Sequence, residues 1–324
     1  MIEKYRFSRE IKNQIKALYE YDNYHGPLAV FKTFSWIILA ILAVQFVALC
    51  YPISLLVIGS RQRALATVLH EASHGILAKN KKLELVLGTF FSGYLIFQTW
   101  GSYKKSHTLD HHHKLGDSGK DPDFKYYQDS GVFEVETRAG FIYKHLVKPA
   151  LFLNVFKSLK YLINNRFLRA KNPKELVGVV LSQVCLFLVF YFSVGVEGYF
   201  LFWMIPYLTT FQALTWFIEL AEHYPMIATA KTDLCATRNR FSHPVESFFT
   251  GMHGENFHLI HHLFPAVPYW NLKRARQVLL KDRNYAAANA SFGGIFISSN
   301  FAPSMWGVII KNHQNNTDYQ EYAS

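Results

Sequence analysis

The sequence predicts an all-α integral membrane protein with about four transmembrane helices and a cytoplasmic, histidine-rich di-metal helical domain. Three observations carry that expectation. The 324-residue chain is 50% hydrophobic and 16% aromatic, enough for a compact membrane protein. It contains uncharged runs of about the 20 residues that cross a bilayer's hydrocarbon. Its histidines gather in three tight clusters: His70 and His74 in HEASH, His107, His111, His112 and His113 in HTLDHHH, and His258, His261 and His262 in HLIHH. Residues 1–324 are read as one domain, with a first hairpin at about 33–72, a re-entrant or interfacial segment at 83–100, a second hairpin at 176–218 and a cytoplasmic region at 223–290 that carries the last cluster.

The amino-terminal KYRFSREIKNQIK is too long and too charged for a secretory signal peptide, so the apolar run Thr33 to Cys50 reads as a retained span. For both the amino terminus and His70 to be cytoplasmic, the chain must return between Tyr51 and about Leu69, turning near Pro52. That leg carries Arg61 and Arg63. A charge at mid-bilayer costs roughly 2.5–3.5 kcal/mol, so the leg is shallow there, or the arginines face the protein interior or a head group. Leu83 to Trp100 is apolar, yet lysines flank both ends and histidine clusters lie beyond each. One crossing would part the clusters, and the run is too short to cross twice, so it is expected to be re-entrant or interfacial. Phe141 to Ile163, with Lys144, Lys148, Lys157 and Lys160 among Phe and Leu, reads as an amphipathic helix on the cytoplasmic surface or on the domain itself. Leu176 to Val194 and Tyr199 to Ile218 are uncharged spans joined by GVEG. That loop has no Lys or Arg, whereas KNPK precedes the pair and the basic segment Lys231 to Arg240 follows it, which puts both flanks in the cytoplasm.

Spacing gives the clusters their chemistry. Residues three or four apart share one face of a helix, so each cluster can aim several imidazoles at one point. A nitrogen-rich site without thiolates argues against a structural zinc finger or an iron–sulfur cluster. Eight or nine nitrogen ligands are too many for one ion, but would serve two ions with open positions. His25, His145, His243 and His313 stand alone and read as surface or capped-core residues. The net charge of +11 fits a cytoplasmic surface beside anionic head groups, and also an acidic redox partner or acyl carrier. No nucleic-acid motif accompanies it, so no nucleic-acid partner is expected. Cys50, Cys185 and Cys235 are far apart and suggest neither disulfides nor a thiolate site.

HEASH, SYKKSHTLDHHHKLGDSGKDPD and NFHLIHHLFP resemble the three histidine boxes of the membrane-bound fatty acid desaturases and related hydroxylases, over about Arg61 to Pro268. Within that family the chain is similar to a bacterial branch of specialised metabolism. The resemblance implies two Fe(2+) ions per chain, dioxygen activation, and desaturation of a fatty acyl chain or acyl-like metabolite, with hydroxylation as the alternative outcome. The implied ligands are His70, His74, His107, His111, His112, His258, His261 and His262, with His223 in LAEHYP as a ninth. His113 and His253 are spare, and the longer spacing of the second box leaves His112 against His113 open. Glu71, Asp110, Glu219 and Glu222 are candidates to orient the imidazoles, and Asn256 to hold a water. No haem-binding HPGG and no paired CxxC marks a fused carrier, so electrons are expected from a separate ferredoxin or cytochrome b5 type donor. The substrate is expected to be a membrane lipid or other acyl compound, and the placement multi-pass, with the metal site on the cytoplasmic face of a bacterial inner membrane.

HEASH also fits H-E-x-x-H, the zinc-protease signature in which Glu71 would be the base of an intramembrane protease. That reading leaves the other clusters idle. A metal transporter would line its spans with histidine, and the two spans of the second hairpin contain none.

Overall fold

The structure is a computed structural model, and it describes residues 2–134, 137–289, 293–299 and 302–314. It is helical. Among the described residues the only β features are isolated bridges, Glu3 with Thr232 and Ser299 with Ala302. The helices that matter for the site are α1 (Arg9–Lys16), α2 (His25–Phe46), α3 (Tyr51–His74), α4 (Lys81–Thr89), α5 (Pro122–Asp129), α6 (Val155–Leu162), α7 (Pro173–Val194), α8 (Thr210–His223), α9 (His258–Leu263) and α10 (Leu272–Leu279).

The chain forms two compact units, and each is built from separated stretches. One, the apolar unit, comprises Tyr21–Ser106 and Pro149–Trp216; the other, the histidine unit, comprises Met1–Glu20, His107–Lys148 and Phe217–Ser324.

In the apolar unit, α2 buries Ile37 and Ala40 against Ile58, Leu65 and Ala66 of α3 and Phe190 of α7. Gly59 lets α3 approach the start of α8 closely. A Cβ there would stand 2.1 Å from Thr210 Oγ1, and that hydroxyl instead donates to the Leu55 carbonyl at 2.6 Å. The outward faces of α2 and α7 are apolar as well: Phe31, Leu39, Val180, Val189 and Phe192 are all exposed. Such faces are costly in water and at home in lipid. Three helical runs, His25–Phe46, Pro173–Val194 and Val196–His223, are long and apolar enough to cross a membrane, which fits a membrane protein. The expected return leg is α3. It has 24 residues but includes Arg61, Arg63, His70 and Glu71, so it is long without being uniformly apolar. Arg61 is buried, with a guanidinium N–H donating to Ser60 Oγ at 2.8 Å.

The segment at 83–100 is broken. Helix α4 ends at Thr89, a 3₁₀ turn follows at Gly93–Ile96, and Phe97 takes a left-handed φ of 57°. The main-chain carbonyls freed by the break are answered by side chains, as buried backbone requires. Trp203 Nε1 donates to the Leu95 carbonyl at 2.9 Å, and Gln183 donates to those of Tyr94 and Leu95 at 2.8 and 3.0 Å. The single amphipathic helix expected over 141–163 is also interrupted. Helical turns at Arg138–Ala150 end after Pro149, Phe152 adopts φ 61°, and α6 begins only at Val155. The lysine pattern was helical, but Pro149 and the left-handed residue end the first helix.

The histidine unit has its own core. Ile11 and Ile15 of α1, Leu259 and Ile260 of α9, and Leu272, Ala275 and Leu279 of α10 pack together, with Tyr285 fully buried beside them.

Candidate metal centre

In the apolar unit the first box lies on the last turn of α3. His70 and His74, four residues apart, put their rings 4.8 Å apart by centroid, with a nitrogen of each within 4.8 Å of the other. Gly75 follows at φ 79° and ends the helix with its N–H on the Ala72 carbonyl. A left-handed residue is the ordinary stop for a helix, so this box is a helix terminus. Glu71 Oε1 stands 3.2 Å from His70 Nδ1, as expected of an orienting carboxylate.

The histidine unit brings seven imidazoles together around two foci. In the first, His107 and His112 face each other Nε2 to Nε2 at 3.1 Å, and His112 faces His261 in the same way at 3.1 Å. In the second, His258 Nε2 lies 2.9 Å from His223 Nε2 and 3.0 Å from His262 Nε2, and nitrogens of His111, His223 and His262 group within 4.8 Å. The rings of His112 and His262 stack at 4.2 Å between the foci.

Backbone geometry explains why this second box tolerates three intervening residues. Lys104–His111 is a π-helix rather than an α-helix, and the His112 N–H bonds to the carbonyl of His107, five residues back, at 3.0 Å. The wider turn aligns i with i+5, which brings His107 over His112; such π segments recur at functional sites. His112 lies within the cluster, whereas His113 is exposed and its Nδ1 turns to the Thr108 carbonyl at 2.8 Å. In α9 the α period does the same work. His258, His261 and His262 share one face while Leu259 and Ile260 fill the core on the other.

Carboxylates fix the rings. Asp121 caps α5 by accepting from the Asp123 and Phe124 amides at 3.0 and 3.1 Å, accepts the Gly116 N–H at 3.0 Å, and stands 2.9 Å from His111 Nδ1. Glu222 lies 3.3 Å from His258 Nδ1 and takes an Arg240 guanidinium N–H at 2.9 Å, with both partners buried. With the proton of His111 and of His258 held on Nδ1 by a carboxylate, each Nε2 presents a bare lone pair to its focus. Burial first, then the neighbouring imidazoles, holds His258 and His262 well below the usual histidine pKa, and therefore neutral.

The donor set fits metal. Imidazole nitrogens that face one another at 2.9–3.1 Å, with no thiolate among them, are a donor set that would suit iron or zinc, and these residues would hold it.

A model of the fatty acid desaturase family matches residues 32–293. The chain belongs to the fatty acid desaturase family. It is also 37% identical over 304 residues, 91% of this chain and 86% of the other, to dihydrorhizobitoxine desaturase of Bradyrhizobium elkanii. A desaturase-type oxidoreductase is the function these matches support, and the protease reading of HEASH has nothing beside the motif.

Of the other expected residues, Asp110 pairs with Lys114 at 3.3 Å. The Glu219 carbonyl takes the Tyr127 hydroxyl at 3.4 Å. Asn256 Nδ2 donates to the Arg240 carbonyl at 3.0 Å and so braces the loop behind the centre. His253 takes φ 49°, and its ring lies 5.5 Å from that of Tyr269. His25 is paired with Asp22 at 2.6 Å, His145 is buried against Phe141, and His243 caps Pro244–Thr250, while the side chain of His313 lies outside the described residues. Sequence reasoning missed Asp121, Asp123 and Arg240. The DPD that closes the second box was the available signal, since Asp before Pro reads as a helix cap.

Proposed function

We propose that this protein is an oxygen-dependent desaturase whose two ferrous ions are held by the three boxes and His223, the nine-histidine set named above. The observation that supports it most is the pair of imidazole foci, the second of them backed by Asp121 and Glu222, in a chain of the desaturase family. Iron so held supplies the activation of dioxygen needed to take hydrogen from an unactivated carbon. Overall, one dioxygen, two electrons, two protons and two substrate hydrogens become an alkene and two waters. The protein's part is to keep the imidazoles neutral and aimed, through Asp121, Glu222 and Arg240, and to exclude bulk water from them by burial.

The substrate class is a fatty acyl chain or an acyl-like metabolite. The similar enzyme is named for dihydrorhizobitoxine and not for a fatty acid, which keeps metabolites in the range. The site faces the cytoplasm of a bacterial inner membrane in a multi-pass chain, with α3 as the fourth crossing, and a separate ferredoxin or cytochrome b5 type donor feeds it. The test is an anaerobic reconstitution with ferrous iron in detergent, chemical reduction, and one pulse of dioxygen with saturated acyl thioesters, phospholipids and amphipathic metabolites as candidate substrates. A product two hydrogens lighter supports the reading. An added hydroxyl group alone would make the protein a hydroxylase, and iron-independent peptide cleavage would overturn both.

A further inference from the structure

We propose that the exposed cationic face of α1 and α10 is the docking surface for an acidic one-electron carrier protein. The inference rests on the desaturase reading, because that chemistry draws two electrons per turnover from outside the chain.

Helix α9 links this face to the centre. Its histidines face the two foci, and its opposite side, Leu259 and Ile260, packs on Leu272, Ala275 and Leu279 of α10 and on Ile11 and Ile15 of α1. Packed helices stand about 8–10 Å apart, so only the thickness of this layer separates the outer surface of α10 from the rings of His258, His261 and His262. Helix α1 is clamped antiparallel along α10. Lys281 donates to Gln14 at 2.7 Å, Asn271 donates to the Leu18 carbonyl at 2.9 Å, and Arg274 lies 3.8 Å from Glu20.

The outer side of this pair is basic. Arg9, Lys12 and Lys16 form one stripe of α1 at helical spacing, and Lys273 and Arg274 are exposed on the α10 packed along it, five cations against the exposed Glu10 and Glu20. Among the described residues no ion pair occupies Arg9, Lys12, Lys16 or Lys273. Unpaired cations that share a face raise the local potential and steer an acidic partner. A bilayer is the poorer occupant. A helix that binds lipid inserts its apolar face, and the apolar face of α1, Ile11 and Ile15, is already buried in the core.

The test uses the full-length, iron-loaded protein in neutral detergent, oxidised and anaerobic. Its reduction is followed by stopped flow with two probes, a reduced acidic [2Fe–2S] ferredoxin and the reduced haem domain of cytochrome b5, and separately with photoreduced deazaflavin, which needs no docking surface. In K12E/K273E the second-order rate with the better protein probe should fall roughly tenfold at low salt, the gap closing as salt screens it, while the deazaflavin rate is unchanged. K82E/K120E, with the same change in net charge elsewhere, should stay within about twofold of wild type. An unchanged protein-probe rate in K12E/K273E overturns the surface and leaves the desaturase reading intact. So does an effect that appears only in phosphatidylglycerol nanodiscs, which would make the face a lipid contact. Failure of wild type to accept electrons from any donor removes the desaturase reading itself.

Discussion

The two histidine foci contain the same donor atom but differ in the carboxylates that stand near their rings. In the second focus Asp121 and Glu222 stand 2.9 and 3.3 Å from the Nδ1 atoms of His111 and His258, and Glu222 is itself anchored by Arg240. In the first, the carboxylate facing His107 is Asp123, and it stands 3.8 Å away, beyond hydrogen-bond reach. Ring orientation sets both the tautomer and the basicity of the bare nitrogen. The difference teaches that metal affinity at this centre depends on what lies behind each imidazole as much as on the imidazoles themselves, and that the second focus should respond to loss of Asp121 or Glu222.

The most damaging change should be His262→Ala, whose ring faces His258 and stacks on His112 between the foci. We expect activity below detection and bound iron at half of wild type or less, measured by metal analysis and single-turnover assay. If the variant keeps two irons, the foci are not a joint site. Next, Asp121→Asn should lower iron affinity or activity about 10- to 100-fold, while Asp123→Asn should change either by less than about tenfold. Equal effects of the two would erase the contrast between the foci. Glu222→Gln leaves the Arg240 guanidinium buried without its charge partner and should cost about 3–5 kcal/mol of stability, read by thermal unfolding in detergent.

Acid gives a gentler test. His258 and His262 are held below the ordinary histidine value of 6.5 in the folded protein, so as pH falls below about 6.5 the unfolded chain binds protons that the folded site refuses. Metal-free protein should therefore be most stable above that pH and lose stability progressively as acid is added. A flat profile between pH 7 and 5 would mean the rings are not held neutral by burial. Smallest of all, His113→Ala should change activity by less than about twofold, since its ring turns to solvent and the Thr108 carbonyl.

Much of this site could be read from spacing alone. The boxes with His258, His261 and His262 at i, i+3 and i+4 announce one helix face, and α9 presents it. The second box could not be read so directly, because an α period does not align His107 with His112; the π turn that does so is a backbone choice without a side-chain signature. Asp121 was hidden for a different reason. Ten residues separate it from His111, and only the turn at Gly116 and the cap of α5 carry it back. The three long apolar helices followed from hydropathy, while the breaks at Phe97 and Phe152 did not, since nothing in the composition there marks a left-handed backbone.

The measurement that bears most directly on a two-focus centre is the stoichiometry of iron, taken as a stepwise anaerobic titration of the metal-free protein with a chelator in competition. Two ferrous ions per chain, one of them lost selectively in Asp121→Asn, is the expected result. A single site, or two sites that Asp121→Asn weakens equally, would contradict it.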